Sequence, residues 1–108
     1  MRKVLFHPKA RDAIKLLPDK VKSDFGQALF LLQEGRKLSM PLARPMTSVA
    51  PGVEELRVKG PDGIYRAFYF TRSGDGILVV HVFVKKTQKT FPLDIELGRK
   101  RLKEMLNG

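Results

Sequence analysis

The stretch Leu56–Arg66, LRVKGPDGIYR, decides the fold. Its centre, Gly60-Pro61-Asp62-Gly63, is a turn signal, because proline presets one dihedral and glycine tolerates the reversal. On one side Leu56 and Val58 alternate with Arg57 and Lys59; on the other IYRAFYF follows. Folded as a hairpin, the piece sets Lys59 opposite Ile64 and Arg57 opposite Arg66. Residues two apart share a strand face. Glu55, Arg57, Lys59, Ile64, Arg66 and Phe68 therefore line one side, and Leu56, Val58, Tyr65 and Ala67 the other. Like charges directly across a strand pair repel, so two facing arginines call for an anion between them or an acid beside them. Glu55, one pair along, supplies the acid in one reading, an ordinary Glu–Arg ladder. In the other, the guanidinium forks grip a phosphate, and the basic run Lys85, Lys86 and Lys89 extends the grip.

Outward toward the carboxyl terminus, Arg72–Gly76 reads as a second turn and Ile77–Lys85 as a third strand of the meander. A turn centred on Gly74 puts Arg66 opposite Val82, brings Lys86 to the Arg66 face and sends His81 to the opposite face. A slip of one residue reverses this. The nearly all-apolar ILVVHVF belongs in the middle of a sheet covered on both faces. Pro92 then opens a last helix with an apolar stripe of Ile95, Leu102, Met105 and Leu106 among Arg99, Lys100, Arg101 and Lys103.

Toward the amino terminus, KLSMPLARPMTSVAPG holds Pro41, Pro45 and Pro51, too many for a helix or a central strand. Before it, Val21, Phe25, Ala28, Leu29 and Leu32 recur at helical spacing over Asp19–Gln33, with Gly35 as a carboxyl cap. Pro8 opens a shorter helix with Ala10, Ile14 and Leu17, which Pro18 ends. The two helices are expected to pair antiparallel. Arg2–Phe6 reads as a first strand. The fold class is α+β: strand, two helices, three-stranded antiparallel meander, carboxyl-terminal helix. With the first strand at its edge, the sheet has four mostly antiparallel strands. The helix pair covers one face, and the last helix sits at the rim of the other.

The 108 residues suffice for one domain, 1–108, and 43% hydrophobic content supports an ordinary core. There is no cysteine, which excludes disulfides and thiolate metal sites. No apolar run is long enough for a signal-peptide core or a membrane span, so a cytoplasmic protein is the default. The net charge of +10 points to a polyanion: nucleic acid first, an acidic protein second, an anionic membrane surface third.

No metal set emerges, since His7 and His81 are far apart with no acidic cluster between them, and no phosphate loop or nucleophile elbow is present. A metal-free reaction on a phosphodiester remains. RNA carries its own nucleophile, the 2′-hydroxyl. The protein then has to align it, move its proton, neutralise the phosphorane and protonate the leaving 5′-oxygen. Positive side chains supply the electrostatic part and positioning much of the rest. For the proton transfers, His81 has a suitable intrinsic pKa, though within VVHVF it also reads as a core residue. Tyr65 and Tyr69 are alternatives that also read as packing residues. A lysine of Lys85, Lys86 and Lys89 with its pKa depressed by neighbouring cations is a further choice.

The order of elements, with VEELRVKGPDGIYRAFYF, then ILVVHVFVKKTQKTF, then a basic last helix, resembles the RelE/ParE superfamily of type II toxins, and within it the phage-derived HigB-like branch. The proline loop MPLARPM, the ELR and YR strands and FVKKTQKTFP carry the likeness over nearly the whole chain. Here Phe91 precedes the proline. The resemblance implies a ribosome-dependent mRNA endonuclease that blocks translation without a cofactor, neutralised by a cognate antitoxin, a helix-turn-helix protein with an acidic contact segment. It implies mRNA and the ribosome as further partners and no membrane. It maps transition-state stabilisation onto Arg66, further catalytic roles onto Lys86 and His81, and RNA phosphate contacts onto Arg57, Lys59, Lys85 and Lys89. Some members use a tyrosine near the carboxyl terminus; this chain has none after Tyr69. The superfamily also includes gyrase poisons of the ParE type, and fold alone does not separate the two. The Arg57, Lys59, Arg66 and Lys86 set favours the nuclease. A basic RNA-binding module without catalysis is the remaining alternative.

Overall fold

The computed structural model describes residues 1–72, 76–87 and 89–107. Its order is β1 (Lys3–Phe6), α1 (Pro8–Lys15), α2 (Asp19–Gln33), β2 (Ala43–Pro45), β3 (Val53–Gly60), β4 (Gly63–Arg72), β5 (Gly76–Lys85) and α3 (Pro92–Asn107). The sheet has five strands in the order β1-β5-β4-β3-β2, one more than expected. The addition is β2, a three-residue edge strand inside the proline loop, ending on Pro45. An edge tolerates proline because its outer N–H needs no ladder partner. The sheet is antiparallel except for β1, which runs parallel to β5. The α+β class and the meander stand as expected, and β5 lies inside the sheet.

Local chemistry sets the element ends. The His7 side chain accepts the Lys9 backbone N–H at the start of α1, and Pro8 sits where a missing N–H costs nothing. Gly35, with φ +88°, closes α2: its N–H reaches the Leu32 carbonyl and the Arg36 N–H reaches Leu31. That is the Schellman pattern, which satisfies carbonyls the helix leaves orphaned. Both helices pack on one face of the sheet, as expected, α1 over β5 and α2 over β3.

Leu56, Val58, Tyr65, Ala67, Tyr69 and Val79 face these helices in one core. The other face buries Val53, Phe68, Leu78 and Val80 with Met46, Val49 and Leu102. So α3 lies across this second face instead of at its rim. Gly98 makes the approach possible: a Cβ there would come within 2.8 Å of the Phe68 ring and 3.1 Å of Val49. Of the expected stripe, Ile95, Leu102 and Met105 pack inward, while Leu106 stays 38% exposed.

The two hairpins differ in register. In the first, Gly60 pairs with Gly63, Lys59 with Ile64 and Arg57 with Arg66, as expected. The second follows its expected register from Arg72↔Gly76 to Tyr69↔Val79; its turn residues 73–75 lie outside the described residues. It then shifts. Phe68 pairs with His81 and Arg66 with Phe83, not Val82. Val80 is the extra residue of a β-bulge, which inserts one residue and re-aims those beyond it. His81 consequently lies on the Arg66 face, against expectation. Lys85, opposite Ile64, joins that face in place of Lys86.

Candidate functional site

The face under α3 carries two charged clusters. The first grows from the ladder. Across β2 and β3, Arg44 is directly opposite Glu55, and across β3 and β4, Arg57 is opposite Arg66. The Glu55 carboxylate is fully buried and gathers all three guanidiniums. Its Oε1 accepts from Arg44 Nε at 2.8 Å and lies 3.7 Å from Arg57 Nε; its Oε2 lies 3.6 Å from Arg66 Nη1. Thr90 closes the group, donating to Glu55 Oε2 at 3.2 Å and accepting from Arg66 Nη1 at 3.0 Å. Arg66 Nη2 donates to the Thr87 carbonyl at 2.6 Å. Arg66 has no exposed surface, and its buried Nε has no hydrogen-bond partner among the described residues. Burial pulls its pKa down and Glu55 pushes it back up. One carboxylate thus resolves the repulsion of the facing arginines, yet three cations to one anion leave the cluster positive.

The second cluster exists because of the bulge. His81 stacks on Phe83, with ring centroids 4.7 Å apart, and packs against Phe68. Arg101 Nη1 lies 2.9 Å from His81 Nδ1, and an arginine can only donate. Nδ1 is therefore an acceptor, and Nε2 carries the proton that His81 gives to Asp94 Oδ1 at 2.8 Å. Asp94 Oδ2 pairs with Lys85 Nζ at 3.1 Å, and Lys85 also sits over the Phe91 ring. Burial lowers the His81 pKa below its ordinary value, the Asp94 hydrogen bond opposes this, and the Arg101 and Lys85 charges add to the lowering. The imidazole is neutral, buried and engaged at both nitrogens.

The expected site residues thus divide. Arg66, Arg57, His81 and Lys85 share the α3 face; Arg66 and His81 are buried and Arg57 nearly so. Lys59 is exposed on β3. Lys86 and Lys89 are exposed in the segment that Thr87 and Thr90 tie down over Arg66. Tyr65 and Tyr69 face the α1 and α2 core, away from both clusters. Arg44, Thr90, Asp94 and Arg101 were not singled out for the site from sequence. Asp94 and Arg101 are seven apart, two helical turns, and so share one face of α3, a spacing visible in the sequence. Among the described residues no group of three or more His, Cys, Asp and Glu could hold a metal ion, and no helix is long and apolar enough to cross a membrane.

The chain is thus a small basic α+β protein whose arginines gather on a buried acid next to a lysine-bearing segment. Residues 12–103 match the family model described as Phage derived protein Gp49-like (DUF891). The chain belongs to this family, which is of the toxin type found in toxin–antitoxin pairs. No curated protein matches the chain.

Proposed function

We propose that this protein is the toxin of a type II toxin–antitoxin pair, of the RelE/ParE superfamily and its HigB-like branch, and that it cleaves mRNA on the ribosome. The observation that carries the reading is the positive cluster of Arg44, Arg57 and Arg66 on buried Glu55, bonded through Arg66 to Thr87 and Thr90, the chain neighbours of exposed Lys86 and Lys89. The 2′-oxygen attacks phosphorus as its proton leaves to a base. The P–O5′ bond breaks, the 5′-oxygen takes up a proton, and a 2′,3′-cyclic phosphate remains. Lys86 and Lys89 meet the phosphate. Arg66 acts from below, fixing the backbone that carries them and adding positive potential through a dry interior, where charge acts further than in water. Arg57, Lys59 and Lys85 extend the basic surface along the RNA. His81 can take a proton at Nδ1 only when Arg101 releases it.

The test is mapping of mRNA 5′ ends in a translation reaction, with and without ribosomes, beside a Lys86→Ala/Lys89→Ala variant of unchanged melting temperature. New ends that need ribosomes and vanish in the variant are expected. Intact mRNA with folded wild-type protein would overturn the nuclease reading, and a gyrase supercoiling assay would then decide for the ParE type.

A further inference from the structure

Arg101 belongs to two places. One N–H holds His81, while the side chain also lines a groove of about 560 Å³ where the start of α1 meets α3. Arg101 has no other hydrogen-bond partner among the described residues, so the rest of its five-donor fork is unspent. The groove's apolar lining is Pro8, Leu97 and Met105, and exposed Lys9 and Lys100 line it as well. Its single acid, Glu104, is occupied: His7 Nδ1 accepts the Lys9 N–H, so His7 Nε2 donates to Glu104 at 2.9 Å. That bond lowers the Glu104 pKa and keeps the carboxylate charged. The groove therefore combines an apolar wall, three cations and one committed anion.

We propose that this groove docks an acidic peptide segment of a protein partner, with an aliphatic side chain against Leu97 and Met105 and a carboxylate on the unspent edge of Arg101. The argument is charge and shape complementarity. Guanidinium binds carboxylate through two parallel hydrogen bonds. The apolar wall suits leucine or isoleucine, as small sites on proteins do. RNA fits less well. The groove offers no phenylalanine or tyrosine for a base to stack on. The occupant is a protein whatever reaction the arginine cluster carries out, so the inference does not rest on nuclease activity. Because Arg101 also holds His81 Nδ1, docking registers at His81, on the face that carries the arginine cluster.

The experiment is NMR titration of the full chain with a short blocked peptide alternating leucine and glutamate. The same peptide with glutamine, and a single-stranded RNA oligonucleotide, run alongside. Saturable shifts at Leu97, Met105 and the His81 ring nitrogens are expected with the acidic peptide. Affinity is expected to fall at least about tenfold for Arg101→Gln, the loss of one charge-assisted contact pair. Lys100→Gln, exposed and outside both clusters, is expected to weaken binding about threefold without changing the His81 signals of the free protein. Lys59→Gln is expected to leave affinity unchanged. Equal binding of the glutamine peptide, shifts spread over the basic surface without saturation, or RNA competing at these same residues would each overturn the proposal.

Discussion

The two charged clusters share a sheet face and differ in what sits at the centre. In the first the hub is an acid, fully buried Glu55, with three arginines around it. In the second the hub is a neutral histidine, with Asp94 on one nitrogen and Arg101 on the other. An acid hub among excess cations carries the greater weight, because three of them share its one carboxylate. A neutral hub only relays contacts between partners that remain partly wet: Lys85 is 24% exposed. The first cluster therefore binds fold and site together, whereas the second can be altered with the fold intact.

The sharpest way to break the comparison is Glu55→Ala against Asp94→Asn. Removing one partner of a buried ion pair costs about 3–5 kcal/mol, and Glu55→Ala removes the carboxylate that three guanidiniums share. Loss at the top of that range, or failure to accumulate folded protein, is expected in urea denaturation. Asp94→Asn keeps an oxygen for His81 Nε2–H and leaves Lys85 able to turn to water, so about 1–2 kcal/mol is expected. Equal losses would mean that the acid hub is not special. Arg66→Lys comes next. A lysine cannot reproduce the fork that spans the Thr87 carbonyl and the Thr90 hydroxyl. A loss of about 2 kcal/mol is expected, with faster hydrogen exchange at Thr87 and Thr90 and no matching change around His81.

The first cluster was more legible in the sequence than the second, and the reason is geometric. A two-residue loop between glycines fixes the β3–β4 register, so Arg57 opposite Arg66 and Glu55 beside them follow from alternation alone. The second hairpin keeps the register implied by a turn centred on Gly74 until Val80 interrupts it. ILVVHVF is apolar on both faces, so alternation contains no mark of a bulge, and His81 is read to the wrong side. Arg44 was hidden for a different reason. Its strand is three residues long and lies among prolines, where propensity argues against any strand and only the pairing with Glu55 supports one. Arg66 was visible as a residue but not in its burial, because Thr87 and Thr90 cover it from far along the chain.

The histidine hub gives a pH test that the acid hub does not. Burial sets the folded His81 pKa below the ordinary value of about 6.5. The unfolded chain then binds more protons in the window between the two values, so stability rises with pH through that window. The contribution is complete above about pH 6.5 and is lost as pH falls toward the folded value. Wild-type melting temperature is expected to decline as pH drops below about 6.5, with a shallower decline in His81→Gln. Glu104, also depressed, loses its contribution only lower, in the carboxylate range. Parallel slopes for the two proteins between about pH 6.5 and 5 would show that His81 is not held neutral.

The smallest effect on stability falls where the functional effect is expected to be large. Lys86 and Lys89 are exposed, and substitutions at such positions shift stability by about 0.5 kcal/mol or less. If they hold phosphate, replacing both with alanine weakens RNA binding and flattens its dependence on salt, because each lost phosphate contact removes roughly one unit of slope. The measurement is affinity for a single-stranded RNA over a range of salt, with Lys20→Ala/Lys22→Ala on α2 as a control of equal charge. The segment variant is expected to lose about two units of slope and the α2 variant almost none. Equal flattening in both would mean that net charge alone draws the RNA. The arginine cluster would then stabilise the sheet and hold Thr87 and Thr90 without serving a phosphate.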